Sequence, residues 1–355
     1  MKVVVATNNT YPPQRVGGSE SSMHGICLEL RKRDIEVVVL AKWSLLQPSA
    51  WSYLRNSLGR QNRRLVRDSP YGYPVYRSLN PAAAVAELVE DVRPDVAVVN
   101  PRAQMRLAQQ FTSLGVPTIV YIRDAFFDEL GGPVRRSSAI RYVTTSQALA
   151  NRFEKVFGIR PVCIPPIVAP ELYRVEPARR NVTFVCPKPK KGLDTALRIA
   201  GRRPDIPFVF VESWPINIIR RIPRDLWIRR HANVVLRDRT HDMRIVYREA
   251  KVVLVPSACR EGWGRVASEA QVSGIPVLAS NVCGLPEAVG PGGILVDPDA
   301  DIESWVAALA RLWDDPTEYD KLSRLALDHA RRAEFVPETL AGRLVAEITE
   351  LLAAT

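Results

Sequence analysis

The chain has 355 residues, 46% of them hydrophobic and 25% charged, an ordinary globular composition whose length favours two domains, since single cores stop growing at about 250–300 residues. No run of about 18 uncharged apolar residues is present, so no membrane span is expected, and five cysteines without paired spacing beside four histidines argue for reduced, cytosolic thiols and against a structural zinc site. The net charge of +11 is uneven: residues 1–170 hold 22 Lys/Arg and 13 Asp/Glu, whereas residues 171–355 hold 27 and 25, so an anionic surface or substrate is expected near the first half.

The N-terminus "MKVVVATNN" is too soon polar for a signal peptide and reads as a first strand. Strands are predicted at 2–7, 36–41, 96–100, 118–123 and 140–146, with a helix over 19–33 whose apolar positions are Met23, Ile26, Leu28 and Leu30. Residues 42–67 carry six basic residues and no acid, among Trp43, Trp51, Tyr53, Leu54 and Leu58. Such a stretch suits a membrane surface; equally, Arg60, Arg63 and Arg64 suit a flexible loop that meets a soluble anion. A proline-rich linker follows the first series, and then a second series of strands at 182–186, 207–212, 233–237, 252–257, 276–280 and 293–297. The runs are too continuously apolar to be half-exposed, as expected of parallel strands covered on both faces. A last amphipathic helix over 337–353 presents Leu340, Leu344, Ile348 and Leu351 on one face.

This alternation predicts an α/β protein with two doubly wound, Rossmann-like domains facing each other across a cleft. The expected boundaries are 1–168 for the first domain, 169–180 for the linker and 181–336 for the second domain. Residues 337–355 form a terminal helix expected to pack back on the first domain.

The most informative stretch is "REGWGRVASEAQVSGIPVLASNVCGLPEAV", residues 260–289. Glu261 falls on a loop at the carboxyl end of a buried strand, and Glu269 falls in a helix that stops at Gly274. Gly262 and Gly264 leave backbone amides open at that helix's start, a site suited to phosphate. A carboxylate on the loop can take hydrogen bonds from sugar hydroxyls, and one further along can hold a ribose, which fits a sugar nucleotide. The plain alternative makes Glu261, Arg265 and Glu269 surface partners spaced four apart, but Gly-Trp-Gly would be a poor helix opening.

The stretch resembles the E-x7-E signature of the retaining glycosyltransferases of family GT4, which have the GT-B fold. The resemblance implies an acceptor-binding domain over 1–168 and a nucleotide-sugar-binding domain over 181–336, in which Glu261 contacts the transferred sugar near its reacting carbon and Glu269 holds the nucleotide ribose. Amides at Gly262, Trp263, Gly264, Arg265 and Val266 would face sugar and diphosphate. Trp263 stands where relatives have Phe and is expected to reshape the sugar pocket; Cys283 stands where they have a first Gly, with Gly284 retained. In "FVCPKPKKGLD" the usual Gly-Arg is missing, but Lys191-Gly192 is kept and Lys188 can take the arginine's place. Two ammonium groups there would neutralise a leaving diphosphate without a metal; otherwise the lysines form a solvated cluster.

Gly17 and Gly18 resemble the family's Gly-Gly loop near donor phosphate or acceptor, or make a simple Gly-rich turn. Arg123-Asp124 stands where many relatives have His-Asp. Only Asp124 carries over as catalytic, while Arg123 suits an anionic acceptor or pairs with Asp124 or Asp128.

The string "DPDAD" at 297–301 contains an Asp-x-Asp that could suggest a metal site, but an aspartate just before a helix more often caps it. No Walker A motif, Gly-x-Ser-x-Gly elbow or HExxH is present, and no nucleic-acid module appears. The expectation is therefore a metal-independent, retaining glycosyltransferase without a cofactor, cytoplasmic or peripheral at the membrane's inner face. It would use a nucleotide-sugar donor and a hydroxyl acceptor that is anionic or lipid-linked. A sugar-nucleotide epimerase of the same fold is the near alternative. A basic non-enzymatic protein that binds nucleic acid or membrane is the distant one.

Overall fold

The computed structural model describes residues 1–14, 16–44, 65–213 and 218–355. Its chain divides into two compact units, Met1–Ile167 with Pro337–Thr355, and Val168–Val336.

Among the described residues of the first unit, eight strands form one sheet: β1 (Lys2–Thr10), β2 (Glu36–Lys42), β3 (Val66–Asp68), β4 (Val75–Ser78), β5 (Val96–Val99), β6 (Thr118–Ile122), β7 (Ile140–Thr144) and β8 (Val162–Cys163). Their order is β3-β4-β2-β1-β5-β6-β7-β8, and only the β3–β4 pair is antiparallel. The central strands are buried along their length, with Val3, Val4, Val5 and Val96 to Val99 inaccessible to solvent, which accounts for their unbroken apolar runs.

The first helix, Gly18–Arg31, buries Met23, Ile26 and Leu30. Leu28, expected on the same stripe, is exposed instead, because it lies two positions from its neighbours and so on the helix's outer side. Trp43 is buried rather than available to an interface, and its backbone N–H donates to the Ser78 carbonyl. Arg60, Arg63, Arg64, Trp51, Tyr53, Leu54 and Leu58 lie outside the described residues.

Strand β4 was not legible in the sequence, since it carries Arg77 in the core. The guanidinium satisfies itself on the Tyr11 carbonyl (3.1 Å), the Pro12 carbonyl (2.7 Å) and the Asp68 carboxylate (3.0 Å), as a buried charge must. The terminal helix Pro337–Ala353 buries Leu340, Leu344, Ile348 and Leu351 in this unit's core, against Met23, Ile26 and Leu30.

The second unit holds β9 (Asn181–Val185), β10 (Phe208–Val211), β11 (Val234–Arg237), β12 (Ala250–Val255), β13 (Val277–Ser280) and β14 (Gly293–Val296), all parallel, in the order β11-β10-β9-β12-β13-β14. The order reverses between β9 and β12, and ligands of such sheets bind beyond the carboxyl ends of the strands at that reversal. The proline-rich stretch before β9 is packed: Tyr173 is buried, and the Val175 N–H donates to Ser273 Oγ at 2.9 Å.

Candidate functional site

The two strands at the reversal supply the two loops that the sequence singles out. After β9, Lys188 precedes a turn over Pro189–Lys191, which Gly192 closes in the left-handed region at φ +84°. A Cβ on Gly192 would lie 1.7 Å from the Pro256 carbonyl oxygen just past β12. Only glycine lets the lysine turn lie against the β12 loop so closely.

The outcome is a direct bond: Lys191 Nζ stands 2.5 Å from Glu261 Oε1. Ser257 Oγ donates to the same carboxylate oxygen at 2.6 Å. The Glu261 carbonyl accepts the Gly284 N–H at 2.9 Å, which ties the β12 loop to the loop after β13. The side chains remain 30% and 14% exposed for Lys191 and Glu261, so the pair is sheltered yet open to a ligand. Burial opposes the ammonium charge, but the Glu261 charge and hydrogen bond outweigh it and hold Lys191 above its ordinary value. It is therefore a cation at neutral pH.

Past Glu261, Gly262 is buried and Gly264 takes φ +105°, with Leu285 Cδ2 only 2.4 Å from where a Cβ would sit. That bend starts the helix Arg265–Gln271. The N–H groups of Arg265 and Val266 open this helix, and the next, that of Ala267, donates to the Gly264 carbonyl at 3.0 Å.

Trp263 departs from its expected role. Its indole is buried, donates to Ser268 Oγ at 2.9 Å and meets the Phe335 ring edge-on at 5.6 Å. The side chain fills core rather than a pocket.

Glu269 is 7% exposed and held on both oxygens. Arg265 reaches Oε1 through Nε at 3.1 Å and Nη2 at 3.0 Å, and Tyr247 donates to Oε2 at 2.9 Å. Arg265 also donates to the Tyr173 hydroxyl at 2.9 Å. An ionised carboxylate offers about four lone-pair sites, so Glu269 is oriented with about one to spare. Burial and the neighbouring Glu269 charge raise Tyr247 well above its usual value and push Tyr173 up to about 12, so both stay protonated. The plain spacing alternative thus holds for Arg265–Glu269, though as a buried pair, while Glu261 turns to Lys191. Arg265, expected among the donor amides, uses its side chain to position Glu269.

Two backbone details lay beyond sequence reasoning. Cys283 takes the left-handed region at φ +46°, and Gly284 is right-handed at φ −83°. The retained glycine therefore does not stand in for the missing one: the cysteine itself adopts the glycine-like conformation. Cys186, where the Gly-Arg is missing, does the same at φ +68°. Ser257, Tyr247 and Tyr173 carried no motif and were not singled out.

In the first unit, Gly17 precedes the helix that Gly18 begins, the first helix after β1. Asn9 and Glu20 meet beneath this turn, Nδ2 to Oε1 at 3.3 Å, both buried. Asn100, at the end of β5, accepts Arg123 Nε at 2.9 Å, and Arg123 Nη1 donates to Ser22 Oγ at 2.9 Å. The guanidinium lies 3.9 Å from the Tyr121 ring centroid and is buried. Arg123 thus knits β5, β6 and the first helix together, and Asp124 beside it is exposed. Among the described residues, no group of three His, Cys, Asp or Glu side chains could hold a metal. Of the "DPDAD" string, Asp301 caps the helix Ile302–Trp313 by accepting the Ser304 N–H at 2.8 Å.

Residues 188–328 match the family model described as glycosyl transferases group 1, and residues 16–172 match that of glycosyltransferase family 4. A D-inositol 3-phosphate glycosyltransferase of Mycolicibacterium gilvum is 37% identical over 171 residues, 44% of this chain and 36% of that protein. The same-named protein of Corynebacterium glutamicum is 48% identical over 88 residues, 24% of this chain and 21% of that one. The matched stretches span about a third or less of these relatives' own lengths.

Among solved structures, HepE of Anabaena in complex with UDP-glucose superposes with a TM-score of 0.76 at 17% identity, covering 98% of this chain and 99% of that one. Sucrose-phosphate synthase of Thermosynechococcus elongatus superposes at 0.75 and 17%, covering 100% of both. These are likenesses of fold.

Proposed function

Given that the chain belongs to the family 4 glycosyltransferases of GT-B fold, matched in both its halves, we propose that it moves a sugar from a nucleotide-sugar donor to an acceptor hydroxyl, with retention at the anomeric carbon and without a metal. One observation carries the reading: Lys191 and Glu261 meet at 2.5 Å on the loops after β9 and β12, where the strand order reverses.

The chemical demand is to stabilise a leaving diphosphate and a cationic sugar. Lys191, charged and sheltered, and the amides from Gly262 to Val266 meet the diphosphate, with Lys188 beside them. A bound diphosphate competes with Glu261 for the ammonium, and Glu261, still held by Ser257, turns its free lone pairs to the sugar hydroxyls. Glu269, fixed by Arg265 and Tyr247, takes the ribose. Asp124 keeps the catalytic role, and Gly17 and Gly18 the donor-phosphate or acceptor role, that the family resemblance implies.

The relatives named for inositol phosphate and the basic first half of the chain together favour an anionic acceptor. A panel of nucleotide sugars tested with and without polyol phosphates, with products resolved by anomeric proton couplings, tests all of this. Donor epimerised without acceptor would replace transfer by epimerisation. An inverted product would remove retention, and activity lost to EDTA and restored by magnesium or manganese would remove metal independence.

A further inference from the structure

The helix Ile218–Ile228 of the second unit is unusual over residues 221–228, where it buries a charge and exposes apolar side chains. Surface helices bury their apolar stripe and expose their charges. Here Arg224 is buried, its guanidinium donating to Glu212 Oε2 at 3.1 Å and to Asp225 Oδ1 at 2.5 Å. Two carboxylates are what an inward arginine needs. Ile228 anchors the same side in the core beside Ile206 and Phe208. The outward side carries Ile222, Leu226 and Trp227, which are 56%, 60% and 36% exposed. Ile222 and Leu226 are one turn apart and share a face, and Trp227 lies about 100° round the helix from Leu226, at the flank of that face. Around this row, Arg221, Arg229 and Arg230 are exposed. Arg221 is partly neutralised by Asp225 at 3.4 Å and Asp238 at 3.6 Å. Residues 218–230 hold five arginines and one aspartate.

We propose that this face docks the second unit on the surface of an anionic lipid bilayer, the helix lying in the interfacial plane. Ile222, Leu226 and Trp227 enter the boundary between headgroups and acyl chains, where an indole is favoured. Arg229 and Arg230 extend their stems along the apolar row and meet lipid phosphates. A second copy of the chain would set these arginines against their own counterparts. A water-soluble polyanion would leave the apolar row in water. A bilayer satisfies both. Among the described residues no helix is long and apolar enough to cross a membrane, so the contact is peripheral.

The test uses the full chain and co-sedimentation with phosphatidylcholine vesicles, with and without phosphatidylglycerol, at low and high salt. It is independent of turnover. Binding is expected only to the anionic vesicles and weaker at high salt. Changing Leu226→Ser with Trp227→Ser, or Arg229→Ser with Arg230→Ser, should weaken it about tenfold or more. Arg229→Lys with Arg230→Lys keeps the charge and should keep the binding, which separates charge from any loss of fold. Absence of binding by the unaltered chain at low salt overturns the proposal. So does binding that both serine pairs retain, which would put the contact elsewhere in the chain. A dimer that the Leu226/Trp227 pair dissolves, found by light scattering, would assign the face to a second copy instead.

Discussion

Glu261 is a residue with two hydrogen-bond partners and one remaining task. If it orients the sugar as proposed, Glu261→Gln keeps the Ser257 and Lys191 contacts in shape while removing the charge. Turnover should fall at least about tenfold, roughly 1.4 kcal/mol of barrier, with the melting temperature little changed. Wild-type turnover in that variant would take Glu261 out of the chemistry. Glu269 and its holders separate differently. Tyr247→Phe leaves the carboxylate in place but frees one oxygen to swing, so nucleoside diphosphate affinity measured by calorimetry should drop several-fold, and Glu269→Ala should drop it further. Cys283 offers a stability test away from catalysis. A left-handed non-glycine residue costs roughly 1–2 kcal/mol, partly offset by the chain entropy that glycine adds. Cys283→Gly should therefore raise the urea midpoint by an amount worth about 0.5–1 kcal/mol, and a lowered midpoint would show that the thiol's packing outweighs the backbone.

At the scale of elements, the helix Pro316–Ala330 is joined to the turn Gly290–Gly292 through His329. Its Nε2 meets the Glu287 carbonyl at 3.1 Å, and among the described residues Nδ1 has no partner, as suits a neutral imidazole. Gly290, at φ +49°, has no room for a Cβ, which would stand 2.1 Å from the ring. Burial, then the Arg332 charge, pushes His329 down to about 4. Its unfolded value near 6.5 is higher, so between those two pH values the unfolded chain binds the extra proton. Stability is thus fully present above about pH 6.5 and is lost as the pH falls toward 4, by on the order of 1–3 kcal/mol. Melting curves at pH 7 and pH 5 should show the loss, and His329→Gln should lessen it. An unchanged pH dependence in that variant would place the sensitivity on other groups.

The whole molecule is two units whose chain order is interleaved, since the last helix, Pro337–Ala353, belongs to the first unit. Arg141 pairs with Glu347 at 2.5 Å and Glu350 at 2.6 Å, and Arg33 Nη2 donates to the Glu338 carbonyl at 2.5 Å. Larger than these exposed contacts is the burial of Leu340, Leu344, Ile348 and Leu351, each worth about 1.5–3 kcal/mol. That sum rivals the whole stability of an ordinary domain, about 5–15 kcal/mol. Ending the chain after Val336 should leave the first unit insoluble or melting more than about 10 °C lower, while the second unit keeps its own transition in calorimetry. An unchanged first transition would show the helix to be an accessory.

The sequence by itself determined the two parallel-sheet units, because strands covered on both faces must be continuously apolar, and that pattern survives without any neighbour being known. It also determined Glu261, Glu269 and Lys191 as candidates, since a turn, a helix start and a fixed spacing are local properties of the chain. The tertiary structure alone decided what each candidate touches. Lys191 and Glu261 are 70 residues apart and meet only because β9 and β12 are neighbours in the sheet. Tyr247 reaches Glu269 from 22 residues away without any motif of its own. Strand β4 was hidden because its buried Arg77 breaks the apolar pattern, and Trp263 looked like a pocket residue because sequence does not say which way an indole turns. In the helix Ile218–Ile228 only the fold shows Arg224 inside and Ile222, Leu226 and Trp227 outside, because Glu212, at the end of another strand, is there to receive the charge.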